Sequence, residues 1–385
     1  MKKNRKSLIL IALLLVTAMV LAACSQPTSS TNNEKDGVKE SITIAVTGPL
    51  SGDYAQYGEA FRKGTALKVK EINANGGIDG KEVKILLMDD KNDPKEAANV
   101  AQRLVEDKRV VGVVGHFSST ASLATAPIYQ KAGLVEFSPT ASHPDFTKQG
   151  TYMFRNINTQ AIEGPIVADM VVNKMQGKKI AVIYINNDWG ITAKDNFTNA
   201  AKELGAEIVA EETFIGGQTK DFTPTLTKIN EKKPDVLFLA AFYSETGMIA
   251  QQMKQLGYNI PMAGLSSLFN EELIKLAGDA VEGLYLSTNF FPGDTNPLVQ
   301  DFITNFKVEY NSEPDQFAAV AYDTMGMMIE AIQTAGTDRA AIRDALAQMK
   351  DYPGVTGNTT FNENRDVVKS LKVLQIRDGK FTVVE

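Results

Sequence analysis

The chain has one cysteine, one tryptophan and two histidines in 385 residues. A single cysteine excludes an intramolecular disulfide, so stability must come from buried apolar cores. The histidines, His116 and His143, form no His-x-x-x-His pair, and no metal site is expected. A net charge of -6 leaves no basic footprint for nucleic acid. No Gly-x-Gly-x-x-Gly or Walker loop follows a strand-like run, and no Gly-x-Ser-x-Gly elbow presents a nucleophile. The sequence therefore offers no nucleotide cofactor site and no hydrolase machinery, and it reads as a non-enzyme. The apolar stretch from Leu8 to Leu21 is on the short side for spanning a bilayer, and no later stretch is long and apolar enough to cross one.

That first apolar stretch follows Lys2, Lys3, Arg5 and Lys6 and ends in Leu21-Ala22-Ala23-Cys24. Charged start, apolar run and small residues have the layout of a signal peptide over 1–23. The ending resembles the bacterial lipobox, in which the cysteine thiol is acylated; an ordinary signal peptide or a membrane helix with a chance cysteine is the other reading. Two acyl chains on Cys24 would give stable anchoring to a bilayer. Residues 24–40, rich in Ser, Thr, Asn and Lys, read as a flexible tether. The mature chain is then extracytoplasmic and lipid-anchored.

From Ser41 onward about 345 residues remain, enough for two domains. Short β-rich runs alternate with amphipathic helical patterns. Strands are expected at Ile42-Val46, Val83-Met88, Val110-Val114 and Leu134-Phe137, with helices near Ala60-Ile72, Pro94-Val105 and Ser119-Lys131. A second series runs from Ala161, with strands at Lys179-Ile185, Glu207-Phe214, Val236-Ala241, Met262-Leu265 and Gly283-Ser287. Helices then dominate from Pro297 to Met349, and β-like segments at Thr359-Phe361, Leu371-Ile376 and Phe381-Val384 close the chain. Two βα series imply an α/β fold with two Rossmann-like lobes, each a parallel sheet covered by helices. Ligands of such sheets bind beyond the carboxyl ends of the strands, so two facing lobes can close on a small solute.

Several segments carry a resemblance in combination: Thr47-Gly48-Pro49-Leu50-Ser51-Gly52, Ile72-Asn73-Ala74-Asn75-Gly76-Gly77-Ile78-Asp79-Gly80, Asp89-Asp90, Val114-Gly115-His116, Ser138-Pro139-Thr140-Ala141-Ser142 and Ala321-Tyr322-Asp323. With these, the body resembles leucine/isoleucine/valine-type solute-binding proteins of ABC importers, the type I periplasmic binding fold. The resemblance implies three crossings between lobes, near Asn158, Thr288 and Tyr352. Lobe one would take 41–157 and 289–352, and lobe two 158–288 and 353–385. It also implies permease subunits as partners and a small amino-acid or carboxylate ligand; a ligand sensor without transport is the other reading the fold allows, and a monomer is the default, since docking a permease needs no self-association.

Ser118-Ser119-Thr120 stands where a helix should begin after a strand. Such a start can cradle an anion or serve only as a cap. By the resemblance, Ser119 and Ser142 would bind a ligand carboxylate and the Thr140 carbonyl would receive its ammonium. Tyr57, Trp189, Phe242 and Phe317 would form an aromatic cleft wall. Ser266 stands where amino-acid-binding members carry an ammonium-binding acid. Asp323, Glu245 and Asp188 are candidate replacements; hydroxyls and carbonyls could suffice, or the ligand could be an acid or amide without an ammonium. The two histidines could supply a cleft cation. Glu136, inside a short apolar strand, has no assigned role.

Overall fold

The computed structural model describes residues 41–384. The expected signal peptide, Cys24 and the tether lie outside the described residues. Strand β1 (Ser41–Gly48) forms a parallel sheet with β2 (Glu82–Asp89), β3 (Val110–Val114), β4 (Glu136–Ser138) and β5 (Met153–Arg155), in the order β2-β1-β3-β4-β5. The second sheet contains β6 (Lys179–Ile185), β7 (Glu207–Phe214), β8 (Val236–Ala240), β9 (Met262–Gly264) and β10 (Tyr285–Thr288), all parallel. The hairpin of β11 (Lys372–Arg377) and β12 (Lys380–Val383) adds antiparallel strands, giving the order β12-β11-β10-β9-β8-β6-β7.

The central strands are continuous apolar runs because helices cover both faces. β3 reads Val-Val-Gly-Val-Val and β8 Val-Leu-Phe-Leu-Ala, and every residue in both is buried. The crossover helices in the first lobe are α1 (Ala55–Ala74), α2 (Pro94–Glu106) and α3 (Ser119–Ala132). Asp93 caps α2 by accepting from the amides of Lys95 and Glu96, and Pro94 occupies the first turn, where no amide is needed. In the second lobe come α4 (Gln160–Asp169), α5 (Asp188–Glu203), α6 (Thr223–Glu231), α7 (Tyr243–Gln255) and α8 (Glu271–Ala277). The chain then returns to the first lobe as α9 (Pro297–Tyr310), α10 (Gln316–Ala335) and α11 (Arg339–Ala347). Helix α10 is buried over most of its length and lies against α1, with Met328 over Gly112 of β3. No helix among the described residues is long and apolar enough to cross a membrane.

Three elements differ from expectation. Strand β5, containing the buried Arg155, lies outside the expected strands. Thr359-Phe361 is no strand: only the Tyr352–Thr359 bridge forms there, and Phe361 packs edge-on against Phe137 and Phe154 of the first lobe. The amides of Val355 and Thr356 bond Asp323 of α10, and Asp366 pairs with Arg155 at 2.6 Å. Residues 353–368 therefore lie on the first lobe, and the third passage comes near Lys369 rather than near Tyr352. There Asn158 and Lys369 exchange two hydrogen bonds of 2.8 Å, side chain to backbone, tying the first passage to the third.

Candidate functional site

In the first sheet the strand order reverses between β1 and β3, and in the second between β6 and β8. Loops diverge at such a point and leave a crevice beyond the strand ends. A cavity stands where the two crevices meet. From the first lobe it is lined by Phe117 and Ser118 after β3, Thr140 and Ser142 after β4, Ile157 after β5, and Phe317 of α10. The second lobe supplies Glu163 of α4, Trp189 of α5, Phe242 after β8, and Ser266 and Ser267 after β9.

The polar corner is built by the start of α3 and the 138–143 loop. Ser118, with extended backbone, caps α3 by accepting from the Ala121 amide. Its neighbour Ser119 is fully buried, and its Oγ accepts from the His143 amide at 3.1 Å. Ser119 thus joins helix to loop, while Ser118 is the serine that lines the cavity. Thr140 donates its hydroxyl to the Phe117 carbonyl at 2.6 Å. Arg155 anchors the loop from beneath by donating to the carbonyls of Ala141 and His143, both at 2.7 Å. The hydroxyls and helix amides can receive an anion without a buried cation.

The apolar side is aromatic. Trp189 stacks on Phe242 at 4.8 Å between ring centroids. Tyr57 is wholly buried behind the wall, stacked on Phe117 at 4.2 Å and edge-on to Phe317 at 4.6 Å. Its hydroxyl donates across the lobes to the Ser267 carbonyl at 2.7 Å and accepts from the Tyr243 amide. Tyr57 therefore supports the cavity wall rather than lining it.

Of the acids considered to replace the one expected at Ser266, none reaches the cavity. Asp323 is consumed by Val355 and Thr356. Glu245 accepts from Tyr54 Oη at 2.6 Å and from the Gly217 amide. Asp188 is exposed. The acid in the cavity is Glu163, which looks in sequence like an ordinary first-turn acid of α4. Its Oε1 accepts from the Ser266 amide at 2.8 Å and from Ser287 Oγ at 2.6 Å.

The histidines supply no cleft cation. His116 is sealed in the first-lobe core, with Nδ1 2.6 Å from Asp90 and Nε2 3.1 Å from the Tyr129 hydroxyl. Half-buried His143 accepts from the Asp145 amide through Nδ1, and burial lowers its basicity further. Glu136 is buried beside Thr125, which donates to it, and desolvation pushes its carboxyl well above the usual range. It belongs to that same core. Among the described residues, no group of acids, histidines or cysteines could hold a metal ion.

A family model described as periplasmic binding protein matches residues 41–380. The chain belongs to that family. Periplasmic binding proteins are solute-binding components of ABC transporters and in general carry out no catalysis. The crystal structure of the branched-chain amino acid transporter substrate-binding protein LivJ from Streptococcus pneumoniae, in complex with isoleucine, is 33% identical. It superposes with a TM-score of 0.85 over 90% of this chain and 99% of that one. The leucine-, isoleucine-, valine-, threonine- and alanine-binding protein of Pseudomonas aeruginosa is 28% identical over 85% of this chain and 87% of its own. A solute-binding protein from Rhodopseudomonas palustris, solved with benzoate, shares the fold at 20% identity and a TM-score of 0.83, over 89% of this chain and 95% of that one.

Proposed function

We propose that this periplasmic binding protein captures a branched-chain or closely related amino acid outside the cytoplasm and delivers it to the permease of an ABC importer. The observation that carries the reading is the cavity itself. One corner offers hydroxyls at a helix start, suited to a carboxylate, and the second-lobe side of the lining stacks Trp189 on Phe242, suited to an apolar side chain. The likeness to the isoleucine-bound and leucine-binding relatives supports the same ligand class.

In this account lobe one comprises 41–157 and 289–368, and lobe two comprises 158–288 and 369–385. The ligand carboxylate first meets Ser118, Ser142 and the start of α3, with Ser119 holding the loop in place. Lobe two then closes and brings Trp189 and Phe242 over the side chain. Closure is favoured by the contacts the ligand makes to both lobes at once. Acylated Cys24 tethers a monomeric body to the membrane that holds the permease.

A thermal-shift panel of amino acids, 2-hydroxy acids and benzoates tests the reading. A ligand at about a hundred times its dissociation constant adds roughly 2.7 kcal/mol. Leucine, isoleucine or valine should raise the melting temperature. A shift with benzoates alone would favour a carboxylate binder instead. Metabolic labelling with a palmitate analogue, lost in Cys24→Ala, tests the anchor.

A further inference from the structure

We infer that Glu163 is the ammonium-binding residue of this cavity and the group that restricts it to ligands carrying a free amine. The inference rests on the amino-acid reading above and deepens it. Of the 11 residues lining the cavity, Glu163 is the only ionisable acid or base besides weakly acidic hydroxyls. It is 4% exposed, and neither Lys, Arg nor His lines the cavity with it. Its two hydrogen bonds both end on Oε1 and come from neutral donors, the Ser266 amide and the Ser287 hydroxyl. Oε2 has no partner among the described residues.

A buried carboxylate held by two neutral dipoles lacks a countercharge. An amino acid supplies one. Its carboxylate goes to the hydroxyl corner and its ammonium to Glu163 Oε2, with the Thr140 carbonyl, from the first-lobe side of the same cavity, as a second acceptor. The cavity and a zwitterion then hold two compensated charge groups. A deaminated acid would instead bring a second anion beside Glu163 with nothing to offset either, and like charges in one site disfavour each other's ionised form. The same carboxylate selects for the amine and against its absence.

The position also explains Ser266. An acid at 266 would crowd Glu163, whose Oε1 already holds the 266 amide. The carboxylate enters this corner from α4, 103 positions earlier in the chain, and the loop after β9 supplies the amide that orients it.

The test is isothermal titration of the full chain, unfolded and refolded to remove carried-over ligand. The probes are L-leucine and its 2-hydroxy acid, which replaces the amine with a hydroxyl. Wild type should bind leucine at least about 100-fold more tightly than the hydroxy acid. Glu163→Gln should lose about 10- to 100-fold for leucine while holding or improving its affinity for the hydroxy acid. Glu163→Asp, which keeps the charge on a shorter stem, should retain part of the discrimination and covers the case in which the glutamine variant does not fold. Equal weakening of both probes would make Glu163 a support for the 266–267 loop and overturn the inference. Unchanged leucine affinity in a folded glutamine variant would overturn it while leaving the amino-acid reading intact. A wild type that takes the hydroxy acid or benzoate but no amino acid would overturn both.

Discussion

The indole of Trp189, carried by the second lobe, donates a hydrogen bond to Ser142 Oγ of the first lobe at 3.2 Å. The only tryptophan in the chain thus bridges the cleft at the hydroxyl proposed to receive the ligand. Ligand arrival must change that contact, so tryptophan emission should shift in wavelength or intensity on titration with leucine. Ser142→Ala should weaken binding by about 1.5–3 kcal/mol, the range for a hydrogen bond to a charged group. A flat emission signal alongside calorimetrically proven binding would separate Trp189 from the ligand.

A second bridge lies at the rim. Tyr54 Oη donates to Glu245 Oε1 at 2.6 Å, and burial together with the glutamate holds the phenol far above its ordinary pKa, so it stays a neutral donor. Beside it, Lys220 pairs with Asp53 and Tyr243 Oη donates to the Asp53 carbonyl. Tyr54→Phe removes one closing contact and no contact to the cavity. Stopped-flow release should therefore be faster, with affinity lower by about 1–2 kcal/mol and association nearly unchanged. A slower association rate with unchanged release would contradict this role.

Packing of α1 on α10 depends on Gly64. A methyl group there would stand 2.1 Å from the Ala318 carbonyl oxygen, and that atom is backbone and cannot turn aside. Gly64→Ala should cost about 1–3 kcal/mol of stability by urea unfolding. An unchanged midpoint would mean the two helices separate freely.

Lys369 gives a pH signature. It is buried where the third passage meets the first, its Nζ donates to Thr356 Oγ1 at 2.6 Å, and desolvation lowers its pKa to about 8 from 10.5, against the pull of Asp323. Between these values the unfolded chain binds a proton that the folded chain does not. The contribution to stability is therefore complete above about pH 10.5 and is lost as pH falls through about 8. Relative to Lys369→Met, wild-type stability should rise between pH 8 and pH 10.5 in paired urea titrations. Parallel profiles for the two proteins would contradict the assignment.

The α/β alternation was legible in sequence because buried parallel strands are continuous apolar runs, as at Val110-Val114 and Val236-Ala240. Turns with a local cause were legible too, such as Asp378-Gly379 between β11 and β12. Thr140, Ser142, Trp189, Phe242, Ser266 and Phe317, named through the family resemblance, line the cavity, whereas Tyr57 stands behind its wall and Ser118 takes the place where Ser119 is expected, a one-residue shift at a helix start. Three features were hidden. Strand β5 is only three residues long and ends in Arg155, whose burial depends on Asp366, 211 positions away. Residues 353–368 have no periodicity, because they lie on the first lobe through side chains rather than a ladder. Glu163 acquires its place through contacts to positions 266 and 287, far along the chain.

The most direct test of the central claim is calorimetric titration of the refolded protein with L-leucine, L-isoleucine and L-valine. The account predicts one-to-one binding with dissociation constants in the micromolar range or below, about -8 kcal/mol or stronger. No heat from any of the three, with saturable binding of an aromatic carboxylate under the same conditions, would contradict it.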